Sequence, residues 1–114
     1  MITTYNEGTA TISSTEYSVA ASSTSLATKT DAGVYQLAID FTNLTSTESY
    51  QITIYEKVKS TGTKVVVHQA NVYGVQQSPA WMGPALSLLN GWDMTVKKLQ
   101  GTDRSIDYSI RKAS

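Results

Sequence analysis

The sequence predicts an all-β protein: a single-domain antiparallel β-sandwich, jelly-roll-like, with about eight strands. Three observations carry this. Residues 91–111 read as one hairpin. Trp92, Met94 and Val96 alternate with Asp93, Thr95 and Lys97; after the polar turn Gly101-Thr102-Asp103-Arg104, Ile106, Tyr108 and Ile110 alternate with Asp107, Ser109 and Arg111. Period two on both arms of a glycine-containing turn is the pattern of paired antiparallel strands. The same alternation recurs in residues 34–41 and 50–59. Ser and Thr are abundant while charged residues make up 16% of the chain, which favours strands and polar turns over helices.

Taken in order, residues 1–8 lack core-forming apolar residues and are expected to be a flexible N-terminal arm, with the sandwich domain spanning 9–114. Residues 9–13 and 17–19 suit two short strands. The small polar stretch 20–33 reads as loops. In 34–41, Tyr35, Leu37, Ile39 and Phe41 point one way, and Gln36, Ala38 and Asp40 the other. In 50–59, Tyr50, Ile52 and Ile54 face inward, and Gln51, Thr53, Tyr55 and Lys57 outward. Ser60-Thr61-Gly62-Thr63 turns the chain into a strand over 64–73. There Val65, Val66 and Val67 break alternation, which calls for burial on both faces or a bulge. Pro79, Gly83 and Pro84 make 74–84 irregular, and 85–89 is a short apolar run before the final hairpin.

The chain has 114 residues, enough for one domain with its own core. It has no Cys, which removes thiol catalysis, thiolate ligation and disulfides together. Nine basic and nine acidic residues cancel, whereas nucleic-acid binding asks for a basic excess, so none is expected. No apolar run approaches the roughly 20 residues that span a bilayer, and no membrane partner is expected. The start, Met1-Ile2-Thr3-Thr4-Tyr5, has neither a basic segment nor an apolar stretch, so no signal peptide is expected.

The residues offer little chemistry. His68 is the single histidine and falls mid-strand, where a half-buried structural role is expected. Asp103 and Asp107 read as turn and surface residues rather than calcium ligands. Asp40, Glu56, Asp93 and Asp107 fall on outward faces, and nothing in their spacing singles out the pair a glycosidase needs. The seven glycines are scattered singly, with no phosphate loop. The expectation is a protein without enzymatic activity, cofactor or metal. Trp81, Tyr55 and Tyr73 are aromatics suited to interfaces or sugar faces.

The succession Gly33-Val34-Tyr35-Gln36-Leu37, Tyr55-Glu56-Lys57-Val58, Pro79-Ala80-Trp81, Pro84-Ala85-Leu86, Gly91-Trp92-Asp93 and residues 101–111 resembles small virion structural proteins of tailed bacteriophages. It covers about residues 8–111. In size and strand count the chain is similar to capsid decoration, or cement, proteins. The resemblance implies a β-sandwich or jelly roll, made in the bacterial cytoplasm and carried on the capsid surface of the virion. It also implies the major capsid protein as partner and a homo-oligomer, dimer or trimer. The alternative is a tail-associated module for receptor or carbohydrate binding. Candidate contacts are Trp81 and Met82, the lysine-bearing tip at Lys59 and Lys64, and the N-terminal arm with Tyr5 and Ile12 as apolar anchors.

Overall fold

The computed structural model describes residues 1–113, which form nine strands and no helix. These are β1 (Ile2–Ile12), β2 (Tyr17–Ser18), β3 (Gly33–Asp40), β4 (Ser49–Lys57), β5 (Lys64–Tyr73), β6 (Ala80–Met82), β7 (Leu86–Leu88), β8 (Trp92–Gln100) and β9 (Arg104–Ala113). One sheet runs β1-β9-β3-β6, with β7 also on β3; the other runs β2-β8-β4-β5. β6 lies along Ala38–Asp40 and β7 along Gly33–Tyr35. They are one strand interrupted at Gly83-Pro84-Ala85, because Pro cannot donate to the ladder. Counted that way, the sheets read 1-8-3-6 and 2-7-4-5, the strand order of a jelly roll.

Alternation places the core as expected. Tyr35, Leu37, Ile39 and Phe41 from one sheet meet Tyr50, Ile52, Ile54, Trp92, Met94 and Val96 from the other, all buried. Trp92 and Tyr35 lie 4.4 Å apart, centroid to centroid. The Trp92 indole nitrogen and the Tyr35 hydroxyl both donate to the carbonyl of Asp31, at 2.9 and 2.8 Å.

Residues 1–8 differ from the expected arm. They belong to β1, which pairs with β9 from Ile2↔Ala113 to Ile12↔Arg104. A register shift between Thr4 and Asn6 leaves Tyr5 as the extra residue. The bulge re-aims the side chain. Tyr5 packs edge-on to Tyr35 at 5.2 Å and against Trp92 at 5.5 Å, and its hydroxyl donates to the Asp31 carboxylate at 2.5 Å. Its first core contact is thus made from within the supposed arm.

A second register shift falls between Ile54 and Tyr55, opposite Val67. The bulge reading of the valine run therefore holds. Burial on both faces does not: Val65, Val66 and Val67 are all exposed.

One end of the sandwich is fastened by Glu48. Its fully buried carboxylate accepts from Thr45 N at 2.6 Å and from Arg104 Nε at 3.0 Å. Those bonds, that from Thr45 foremost, hold its carboxyl well below the usual range, at about 2. The turn after β8 approaches this loop so closely that a Cβ on Gly101, whose φ is +92°, would lie 2.7 Å from the Thr47 carbonyl oxygen.

Candidate functional site

The outer face of the β2-β8-β4-β5 sheet is covered over β2, β8 and the middle of β4 and open along β5. Ser18, Thr95, Thr53 and Gln69 form one cross-strand row. The Glu16 carboxylate lies over it, accepting from the hydroxyls of Thr95 and Tyr55, the latter at 2.7 Å. Burial and this contact push the Tyr55 hydroxyl up to about 12. Asp93, expected to face solvent, is fully buried. Its carboxylate accepts from Ser18 Oγ at 2.6 Å, Met94 N at 2.9 Å and Ala27 N at 2.8 Å, pinning the 19–28 loop over the sheet. Burial raises its pKa against those bonds.

Beyond the sealed zone lies the β4–β5 hairpin. Leu26, Tyr55, Lys57, Gly62, Thr63 and Lys64 line a pocket of about 460 Å³. The Lys64 ammonium donates to the Ala27 carbonyl at 2.6 Å, and its charge acts on the buried Asp93 carboxyl nearby. Lys59 is exposed at the hairpin tip. Val58, Leu26 and Leu89 are exposed apolar residues at this end. Asn90 Nδ2 donates to the Val58 carbonyl, and Glu56 accepts from Leu89 N at 2.6 Å, so hydrogen bonds tie the hairpin to the β7–β8 turn.

Trp81 is not a loop residue. It lies on β6, opposite Ile39, partly buried against the core. Its ring faces His68 of β5 at 6.4 Å, with planes 29° apart. The pair bridges the margins of the two sheets on one side of the sandwich. His68 is thus half-buried and packed against an aromatic ring. Met82, 46% exposed, follows on the same strand and takes a contact from Arg111 Nη1.

Of the six candidate contacts, the structure brings Lys59 and Lys64 together on the hairpin, and Trp81 and Met82 together on β6. Tyr5 and Ile12 are in neither group. Ile12 is 0% exposed and Tyr5 is engaged with Trp92, Tyr35 and Asp31, so both serve the fold rather than a partner surface. The sequence reading missed Val58, Leu26 and Leu89, because an isolated apolar residue in a turn carries no periodic signal.

On the other outer face, Asp40 and Asp107 are direct cross-strand partners in a groove of about 450 Å³ that Glu7, Met82 and Arg111 also line. The Thr42 hydroxyl and amide donate to Asp40 and lower its pKa. Thr9 Oγ1 donates to Asp107 at 2.6 Å. Among the described residues no group of three or more His, Cys, Asp or Glu has a metal-holding arrangement. No protein-family model, curated protein or solved structure matches the chain.

Proposed function

We propose that the chain is a non-enzymatic structural protein of a tailed-phage virion, which binds the major capsid protein and stabilises the assembled capsid as a decoration protein. One observation carries the reading. The β4–β5 hairpin carries Lys59 and Lys64 beside the exposed apolar side chains Val58, Val65 and Val66. A small rigid body with one such margin suits docking onto a protein surface, where apolar area supplies affinity and charge supplies orientation. On a lattice, many weak contacts of this kind add through effective concentration. The jelly-roll strand order is compatible with the reading, by analogy of fold only.

Quantitative mass spectrometry of purified virions that carry the chain tests the reading. A copy number comparable with the major coat protein is expected; a handful of copies per particle would overturn it. A second reading, a tail-associated module for carbohydrate or receptor binding, is favoured by the hairpin pocket. There the Tyr55 ring beside Lys57 and Lys64 offers a stacking surface next to two cations, a combination suited to an acidic sugar. Glycan-array binding abolished by Tyr55→Ala would select it.

A further inference from the structure

The two sheets have four outer edges, and three of them are blunted. β2 is two residues long. The β6–β7 edge is broken into three-residue pieces at Pro84. β1 is long, but its face toward solvent is built from Thr9, Thr11, Glu7 and Thr4. Short strands, prolines, charges and bulges are the devices by which sheets avoid edge-to-edge pairing. β5 has one of them in its interior, the bulge at Val67, and beyond it residues 68–73 pair with β4 in unbroken register. It is ten residues long, has no Pro, and carries no formal charge from Val65 to Tyr73. It pairs with β4 on one side, and among the described residues no strand lies on the other.

We infer that β5 is a self-association edge, on which a second copy of this chain adds its own β5 antiparallel across a two-fold axis. Three features fit a second copy. The strand is neutral, so it offers a charged partner segment nothing to recognise. Its one cation, Lys64, stands at one terminus and neutral Tyr73 at the other. Antiparallel pairing therefore sets the two Lys64 residues at opposite ends of the joint, whereas parallel pairing would stack them and repel. The chain as a whole has a formal net charge of zero, so no long-range repulsion opposes the approach of two copies. A two-fold joint also closes on itself and stops at the dimer. The exposed side chains of Val66 and Tyr73 would then lie in a continuous outer face shared by both copies.

The pairing is independent of the capsid reading and is tested on the purified chain alone. Sedimentation velocity should show a monomer–dimer equilibrium across roughly 1 µM to 1 mM, the span of affinities open to a small interface. Amide exchange within residues 65–73 should slow as dimer forms. Val66→Lys and, separately, Asn71→Lys place charge on exposed positions of the edge, and each should weaken the dimer at least tenfold with the melting temperature kept. Thr4→Lys, on the β1 edge, should leave it unchanged. A wild-type chain that stays monomeric at about 1 mM, or a dimer that survives both β5 substitutions, would overturn the inference.

Discussion

β1 and β5 are the two long edge strands, and each contains one bulge, yet the bulges do opposite things. In β1 the extra residue is Tyr5, which turns into the core, closing a cluster with Tyr35 and Trp92 over Asp31. In β5 the extra residue is Val67, within a run of three valines that face solvent. A bulge re-aims a side chain, and what it aims at decides whether the edge is sealed or open. β1 reads as polar and is anchored; β5 reads as apolar and is available. Polarity in sequence is therefore a poor guide to which edge belongs to the fold.

The largest effect should come from removing the ring on which β1 is anchored. Trp92 is fully buried, and Trp92→Ala should cost about 3–5 kcal/mol. Beyond the general loss, β1 amides should exchange faster relative to those of β5, because Tyr5 loses its contact. Denaturant unfolding gives the first quantity and hydrogen exchange the second. Uniform loosening of both edges would break the contrast.

Next comes the anchor itself. Tyr5 is only partly buried, so Tyr5→Ala should cost roughly 2–3 kcal/mol, less than a fully buried ring. Tyr5→Phe, which removes the bond to Asp31 and keeps the ring, should cost about 1 kcal/mol. Deleting residues 1–8 should be worse than either, because it leaves β9 paired on its β3 side only over most of its length. A truncated chain with an unchanged melting curve would return these residues to the status of a loose arm.

How far the fold was legible follows from the same contrast. Strands buried on one face announce themselves: β3, β4, β8 and β9 alternate, and their inward residues fall in the core. β1 does not, because its inward positions are Asn6, Gly8, Ala10 and Ile12, of which one is a large apolar residue. Asn6 is there to bond the Val19 carbonyl at 2.8 Å. Gly8 is there because Tyr108 of β9 lies across it, and a Cβ would meet the phenol oxygen at 2.8 Å. Both choices serve close packing against particular neighbours, which no periodicity encodes. Asp93 was misplaced for a related reason. Its strand position is outward, but the 19–28 loop folds over that face and buries it. Of the candidate surface, the lysine tip was legible from the turn that carries it. Trp81 was identified by type but given the wrong setting, since Pro79 and Pro84 concealed a three-residue strand between them.

The far end of β5 supplies a test in pH. Gly74, just past β5, donates its N–H to the Glu48 carbonyl at 2.8 Å, so the end of the strand hangs on the Glu48 loop. The Glu48 carboxyl sits at about 2 in the fold against an ordinary 4.5. Its ionised form therefore stabilises the fold at every pH above 4.5, and that contribution is lost as pH falls from 4.5 towards 2. Asp93, raised by burial, works in the opposite sense and softens the acid limb. Melting temperature measured from pH 6 to pH 2 should fall most steeply below 4.5. In Glu48→Gln the curve should start lower and flatten in that window, with exchange near Gly74 already fast at neutral pH. An acid limb of the same slope in the variant would show that another carboxylate sets it.

The smallest effect is the most diagnostic of an open edge. Val66 is 50% exposed and opposes Tyr55, whose hydroxyl is already satisfied by Glu16. Val66→Thr keeps the β-branched shape and exchanges a solvent-facing methyl for a hydroxyl. In the monomer the change should lie within about 0.5 kcal/mol, the range of an ordinary surface substitution. The nearest exchange in β1, Ile12→Thr, removes one further methyl, puts the hydroxyl into a fully buried site and should cost several times as much. The ratio of the two costs, taken at a dilution where the chain is monomeric, measures how differently the two edges are used. Equal costs would mean that Val66 is packed against something within the single chain, and that β5 is no more available than β1.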